Sequence, residues 1–100
     1  MKIFLDDVRD CPEGLILCRT AEEAIELINS EDVEYISFDH DLGLGKTGYE
    51  VACHIELLVH LDFMSVPGWN IHSSNPVGRK NIQEAMESAE RFQRRNDGIS

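Results

Sequence analysis

The chain has 100 residues, with 19 acidic against 9 basic side chains and a formal charge of −10. Polyanions repel such a chain, which excludes strong non-specific binding to nucleic acid. At 42% hydrophobic and 28% charged residues it has a globular composition, and its length suits a single domain, residues 1–100, with one core.

The opening run Lys2-Ile3-Phe4-Leu5 meets two aspartates at once, too short for a signal-peptide core, and no apolar run approaches the ~20 residues of a membrane span. A cytoplasmic protein without a membrane partner is expected, monomeric or weakly dimeric. Cys11, Cys18 and Cys53 are odd in number and lack CxxC spacing, so they read as small buried hydrophobes, with Cys11 set apart in a polar loop near the aspartates. Residues 1–75 hold 4 basic and 15 acidic side chains, and residues 76–100 hold 5 and 4, so positive charge is held back for the end.

Lys2–Leu5 reads as a buried strand, and after nine residues, Asp6 to Gly14, Leu15–Cys18 reads as a second. Thr20-Ala21-Glu22-Glu23 is a capping box, with the Thr20 hydroxyl placed for the Glu23 amide and the Glu23 carboxylate reaching back. Ala21, Ala24, Ile25 and Ile28 continue it as a helical stripe that ends near Asn29-Ser30. Tyr35–Phe38 is the third strand. Gly43-Leu44-Gly45-Lys46-Thr47 looks like the end of a P-loop, but that pattern needs glycine where His40 stands, and Asp39 and Asp41 would repel a triphosphate. Its glycines fit a flexible loop over a site. Tyr49, Ala52, Ile55, Leu58 and Val59 mark a second helix from Gly48 to about Leu61, and Trp69–His72 follows the Pro67-Gly68 break as a fourth strand. Asn75 is placed as an N-cap with Pro76 first in a helix lined by Ile82, Ala85, Met86, Ala89 and Phe92. Arg91, Arg94 and Arg95 suit its C-terminal dipole.

This order calls for a three-layer α/β fold with a four-stranded parallel sheet in the order 2-1-3-4. The nine-residue link between strands 1 and 2 is short for a parallel crossover, but stretched it spans up to about 30 Å, so a helix is not needed. A hairpin there would instead send Asp39 to the edge opposite Asp6 and Asp7.

Three polar clusters follow strand ends: Asp6-Asp7, Asp39-His40-Asp41, and His72-Ser73-Ser74-Asn75. That edge is where α/β sheets bind ligands. Two like charges about 4 Å apart repel by about 4 kcal/mol at an effective dielectric of 20, so gathered carboxylates must share protons or a cation. Asp6, Asp7, Asp39 and Asp41 are the candidate metal ligands. Oxygen ligation favours Mg²⁺ or Mn²⁺, and recruiting His40 or His72 shifts the preference toward Mn²⁺ or Zn²⁺. His72, with Ser73 beside it, is a candidate proton donor to a leaving alkoxide, and Ser74, Asn75, Arg79 and Lys80 surround a helix start suited to phosphate. Strand alternation turns His40 away from Asp39 and Asp41. His54 and His60 lie about 240° apart on their helix, too far to converge, and are read as pairing with neighbours such as Glu50.

These residues resemble two-component receiver domains. SFDHDLG, TGYEVA and HSSNPVGR, with LDDVR at the start, more narrowly resemble the cyclic-phosphate processing receiver domains, over nearly the whole chain. The resemblance implies a truncated receiver-like (flavodoxin-like) fold and a phosphoesterase acting on cyclic phosphates; joined to the acids, histidine and basic helix start at one edge, it leads to the expectation of a metal-dependent enzyme that opens a cyclic phosphate of a nucleotide or RNA end. It makes Asp6 and Asp7 the metal-binding pair, Asp39 the counterpart of the phospho-accepting aspartate, and Ser73 or Ser74 the strand-4 hydroxyl. The chain departs from signalling receivers in lacking the first crossover helix and a fifth strand ending in lysine. The alternatives are a degenerate receiver that accepts phosphate on Asp39, and a module that binds a phosphate ligand or a protein without turnover.

Overall fold

A computed structural model describes residues 1–97. The chain runs, in order, β1 (Lys2–Leu5), β2 (Ile16–Cys18), α1 (Ala21–Ser30), β3 (Tyr35–Phe38), α2 (Gly48–His60), β4 (Gly68–Ile71) and α3 (Pro76–Asp97). The sheet runs β2-β1-β3-β4 and every pairing is parallel, as the sequence predicts. The β1–β2 link is therefore an extended crossover, and the hairpin alternative is excluded. Strand 2 begins one residue later than expected, and strand 4 lies one residue earlier, leaving His72 just beyond its end.

Two crossovers, β2-α1-β3 and β3-α2-β4, advance across the sheet in the same direction, and right-handedness sends both helices to one face. Accordingly α2 packs against both α1 and α3. The β1–β2 link runs the opposite way, so the same rule carries it over the other face, where it is the reduced counterpart of a helical layer. Side chains alternate along each strand. Ile3 and Leu5, Ile36 and Phe38, and Ile71 face the helices and form the core with Ala24, Ile28, Val51, Ile55, Ile82 and Met86. Phe4 and Ser37, between them in the chain, are buried on the opposite face. Cys18 joins the core, and burial pushes its thiol up to about 11, whereas Cys11 and Cys53 are only half-buried and all three are free. No helix among the described residues is long and apolar enough to cross a membrane.

The helix starts follow the sequence with local corrections. Thr20 Oγ1 accepts the Glu23 amide at 3.2 Å, but the Glu23 carboxylate accepts the Thr20 hydroxyl at 3.2 Å, not its backbone amide. At α2 an unanticipated box has Glu50 accepting the Thr47 amide at 2.8 Å. Tyr49, expected in the apolar stripe, is exposed, because the stripe is centred on Val51, Ile55 and Val59. Asn75 caps α3 as expected, its Oδ1 accepting the Gly78 amide at 3.0 Å.

Two glycines let helix starts approach the carboxyl edge. A Cβ on Gly48 would collide with the carbonyl of Asp39, and one on Gly78 would enter the His40 ring. Backbone cannot yield as a flexible side chain can, so Gly48→Ala is expected to lower stability by about 3 kcal/mol. Urea unfolding checks this, and a neutral substitution would show that α2 can retreat from β3.

Candidate active site

Leu5 pairs with Phe38, and Phe38 with Ile71, so the three strands end at one level. The next residues are Asp6, Asp39 and His72. The ladder runs one step past the strands to hold them, with the Asp6 amide donating to Cys18, Asp39 to Leu5 and His72 to Phe38, at 2.9–3.0 Å. Since Leu5, Phe38 and Ile71 point into the core, their successors emerge together on the face without helices. One side-chain oxygen or nitrogen from each of Asp6, Asp39 and His72 lies within 4.8 Å of the others.

Asp6 is fully buried. Its Oδ1 accepts the amides of Val8 at 2.9 Å and Arg9 at 2.8 Å, and its Oδ2 meets His72 Nε2 at 2.9 Å and Arg9 Nε at 3.7 Å. Burial alone would push the carboxyl up, but the Arg9 and Val8 amides and His72 together outweigh it and hold Asp6 below its ordinary value. The His72 ring reaches over β3, stacked on Phe4 with centroids 4.6 Å apart and planes 6° from parallel, and its Nδ1 lies 2.8 Å from Ser37 Oγ. In the neutral ring Nε2–H donates to Asp6 and Nδ1 accepts from Ser37, whereas the imidazolium donates from both nitrogens.

Two carboxylates and an imidazole with ligand atoms this close could hold a divalent cation, the Asp6–His72 hydrogen bond giving way if the ring nitrogen were to join them. Two carboxylates with one imidazole suit Mn²⁺ or Zn²⁺ better than Mg²⁺, whereas the carboxylates alone suit Mg²⁺ or Mn²⁺.

The other predicted site residues surround this cluster without joining it. Asp7 is half-buried, its Oδ2 facing Gly43 of the loop after β3, whose φ of 76° favours glycine. Asp41 is exposed and accepts from Asn75 Nδ2 at 3.3 and 3.4 Å. His40 does not turn away from it, since its Nδ1 lies 3.1 Å from Asp41 Oδ1. The ladder ends with Asp39, and pleating does not govern His40 and the residues beyond it. Ser73 is buried, its hydroxyl accepting the Asn75 amide at 3.2 Å, while Ser74 is exposed. Arg79 turns its guanidinium onto the carbonyls of Ile71 at 2.9 Å and Ser73 at 3.0 Å. Lys80 pairs with Glu84 at 4.0 Å on the outer side of α3. The start of α3 offers few amides to an anion, because Pro76 has none and Asn75 occupies that of Gly78. His54 and His60 stay outside the site as expected, but neither pairs with Glu50: His54 meets Asn29 at 2.7 Å and His60 packs edge-on to Phe92.

Sequence reasoning passed over Phe4, Ser37 and Arg9. Ser37 carried a signal, as the polar residue inside an otherwise buried strand. Arg9 also donates to the His72 carbonyl at 3.4 Å, and Arg19 holds the Arg9 carbonyl at 2.8 Å, tying the extended link to the site.

A truncated parallel sheet with an aspartate at the end of β1 and another at the end of β3 defines a receiver-like α/β domain. The chain belongs to the cyclic-phosphate processing receiver domain family, whose family model matches residues 1–88. No curated protein and no solved structure matches it.

Because Asp6 titrates below its ordinary value of 3.8 in the folded state, its ionised form stabilises the fold fully above about pH 4, and this is lost as pH falls through the lowered value. In metal-free buffer Asp6→Asn is expected to cost ~2 kcal/mol at pH 7. Urea unfolding should find the gap between variant and parent narrowing below pH 4, and a gap constant with pH would contradict the ionised pairing.

Proposed function

We propose that this domain is a metal-dependent phosphoesterase of the cytoplasm that opens a cyclic phosphate, of a nucleotide or an RNA end, at the carboxyl edge of β1, β3 and β4. The observation that carries the reading is the convergence of Asp6, Asp39 and His72. Membership of a cyclic-phosphate processing family supports the substrate class. Val8, Leu44 and Val77, exposed on the loops after β1 and β3 and at the start of α3, supply an apolar rim suited to a nucleobase.

Water attacks phosphorus, one ring P–O bond breaks, and the product is a phosphomonoester beside a free hydroxyl. Asp39 takes the proton from the attacking water. His72 donates its Nε2 proton to the departing oxygen, with Ser37 and Phe4 fixing the ring and Asp6 orienting that proton until substrate replaces it. A divalent cation held by Asp6 and Asp39 would supply Lewis acidity and a more acidic water, with Asp7 and Asp41 outside its ligand set. Ser74 and Asn75 at the rim contact the phosphate. Arg79 holds the turn on which they stand, with Ser73 inside it, while Lys80 is engaged with Glu84 away from the site.

Assay of a panel of cyclic nucleotides with Mg²⁺ or Mn²⁺ is expected to reveal turnover that chelation abolishes. His72→Ala or Asp39→Asn should reduce kcat by about 10²–10⁴-fold. Ser37→Ala should reduce it by ~10-fold with the fold retained, as expected of a residue that positions the ring. Variants as active as the parent, or no turnover in any arm, would overturn the reading. A lasting phosphate adduct on Asp39, seen by intact mass after incubation with a small phosphodonor, would instead favour a receiver that accepts phosphate.

A further inference from the structure

At the opposite end of the sheet, where the strands begin, the surface combines three features that nothing in the site explains. The first is a groove of about 600 Å³ between the end of α1 and the turn before β4, with Ile28, Phe63 and Met64 in its lining and Glu31, Asp32 and Glu34 along one side. The last turn of α1 holds no basic residue, so the negative end of its dipole adds to these carboxylates. Glu34 is met by the amino group of Met1 at 3.8 Å, which leaves Glu31 and Asp32 as the charges a partner would read.

The second is an apolar strip. Leu57 and Leu61 stand one turn apart at the end of α2, each 53% exposed, and Phe63, two residues on, is 75% exposed and reaches the groove. Large apolar side chains grouped in this way on a small domain mark a surface that is covered in use.

The third is basic. Helix α3 has 22 residues, ~33 Å of helix against ~13 Å for a four-residue strand, so its last turns extend past the sheet on this side. They pack beside Met64 and Ser65, which also line the groove. Arg91, Arg94 and Arg95 on these turns are exposed, three of only nine cations in the chain, and outnumber Glu90, which is engaged by Trp69, and Asp97 on the same turns.

We propose that this end of the molecule is a two-fold interface between copies of the chain, in which the arginine-bearing tip of each α3 lies against the other's acidic groove and the Leu57, Leu61 and Phe63 strips meet. A patch carrying both charges and an apolar centre is self-complementary, as a closed two-fold contact requires. Any other partner would have to match a basic and an acidic region at once, whereas a second copy supplies both. The contact lies at the opposite end of the strands from Asp6, Asp39 and His72, so both carboxyl edges stay open.

Sedimentation equilibrium of the full chain over rising concentration tests the proposal, and the parent is expected to pass from monomer to dimer. The doubly reversed variants Arg94→Glu/Arg95→Glu and Glu31→Lys/Asp32→Lys should each dimerise about 100-fold more weakly. Mixed in equal amounts, they should recover parental association as a heterodimer, because each tip again faces a groove of opposite sign. All four positions are exposed, and circular dichroism verifies the fold of each variant. A parent that stays monomeric into the millimolar range, reversals that leave association unchanged, or a mixture that fails to recover it would each overturn the interface.

Discussion

The site depends on the level at which three parallel strands stop. Leu5, Phe38 and Ile71 pair across the sheet with their side chains in the core, so the residues that follow are delivered to one spot on the opposite face. A register slip of one residue would turn each of them toward the helices. The charges therefore ride on the packing of the core, and the burial of Ile3, Leu5, Ile36 and Phe38 fixes where Asp6 and Asp39 stand.

What the position costs is met locally. A fully buried carboxylate is expensive unless its oxygens are satisfied, and Asp6 has two backbone amides on one oxygen with His72 on the other. The nine-residue link makes this arrangement available. A crossover helix would begin at this point, whereas the extended chain folds the Val8 and Arg9 amides back onto Asp6 and sends Arg9 to the His72 carbonyl. His72 is fixed in turn from three sides, by Asp6, Ser37 and the face of Phe4. The extended link and the site are therefore parts of one arrangement.

Much of this was legible in the sequence, because strand and helix periods are set by burial and the parallel order follows from crossovers of one hand. The positions of Asp6, Asp39 and His72 at strand ends were legible for the same reason. Side-chain direction beyond the strands was not. Extending pleating past Asp39 misplaces His40, and Arg79 turns from an open helix start to the carbonyls of its own turn, satisfying backbone groups that the end of β4 leaves free. Ser37 was visible only as an irregularity, since its meaning depends on a histidine 35 residues away.

The most direct test of the account is whether a divalent cation settles between Asp6 and Asp39, beside His72. Titration of isotope-labelled protein with substoichiometric Mn²⁺, read as paramagnetic line broadening, locates the ion without reference to turnover. The account predicts that amide resonances at the ends of β1, β3 and β4 broaden first and that Asp39→Asn diminishes the effect. Broadening centred instead on Glu31 and Asp32, or spread evenly over the acidic surface, would contradict it.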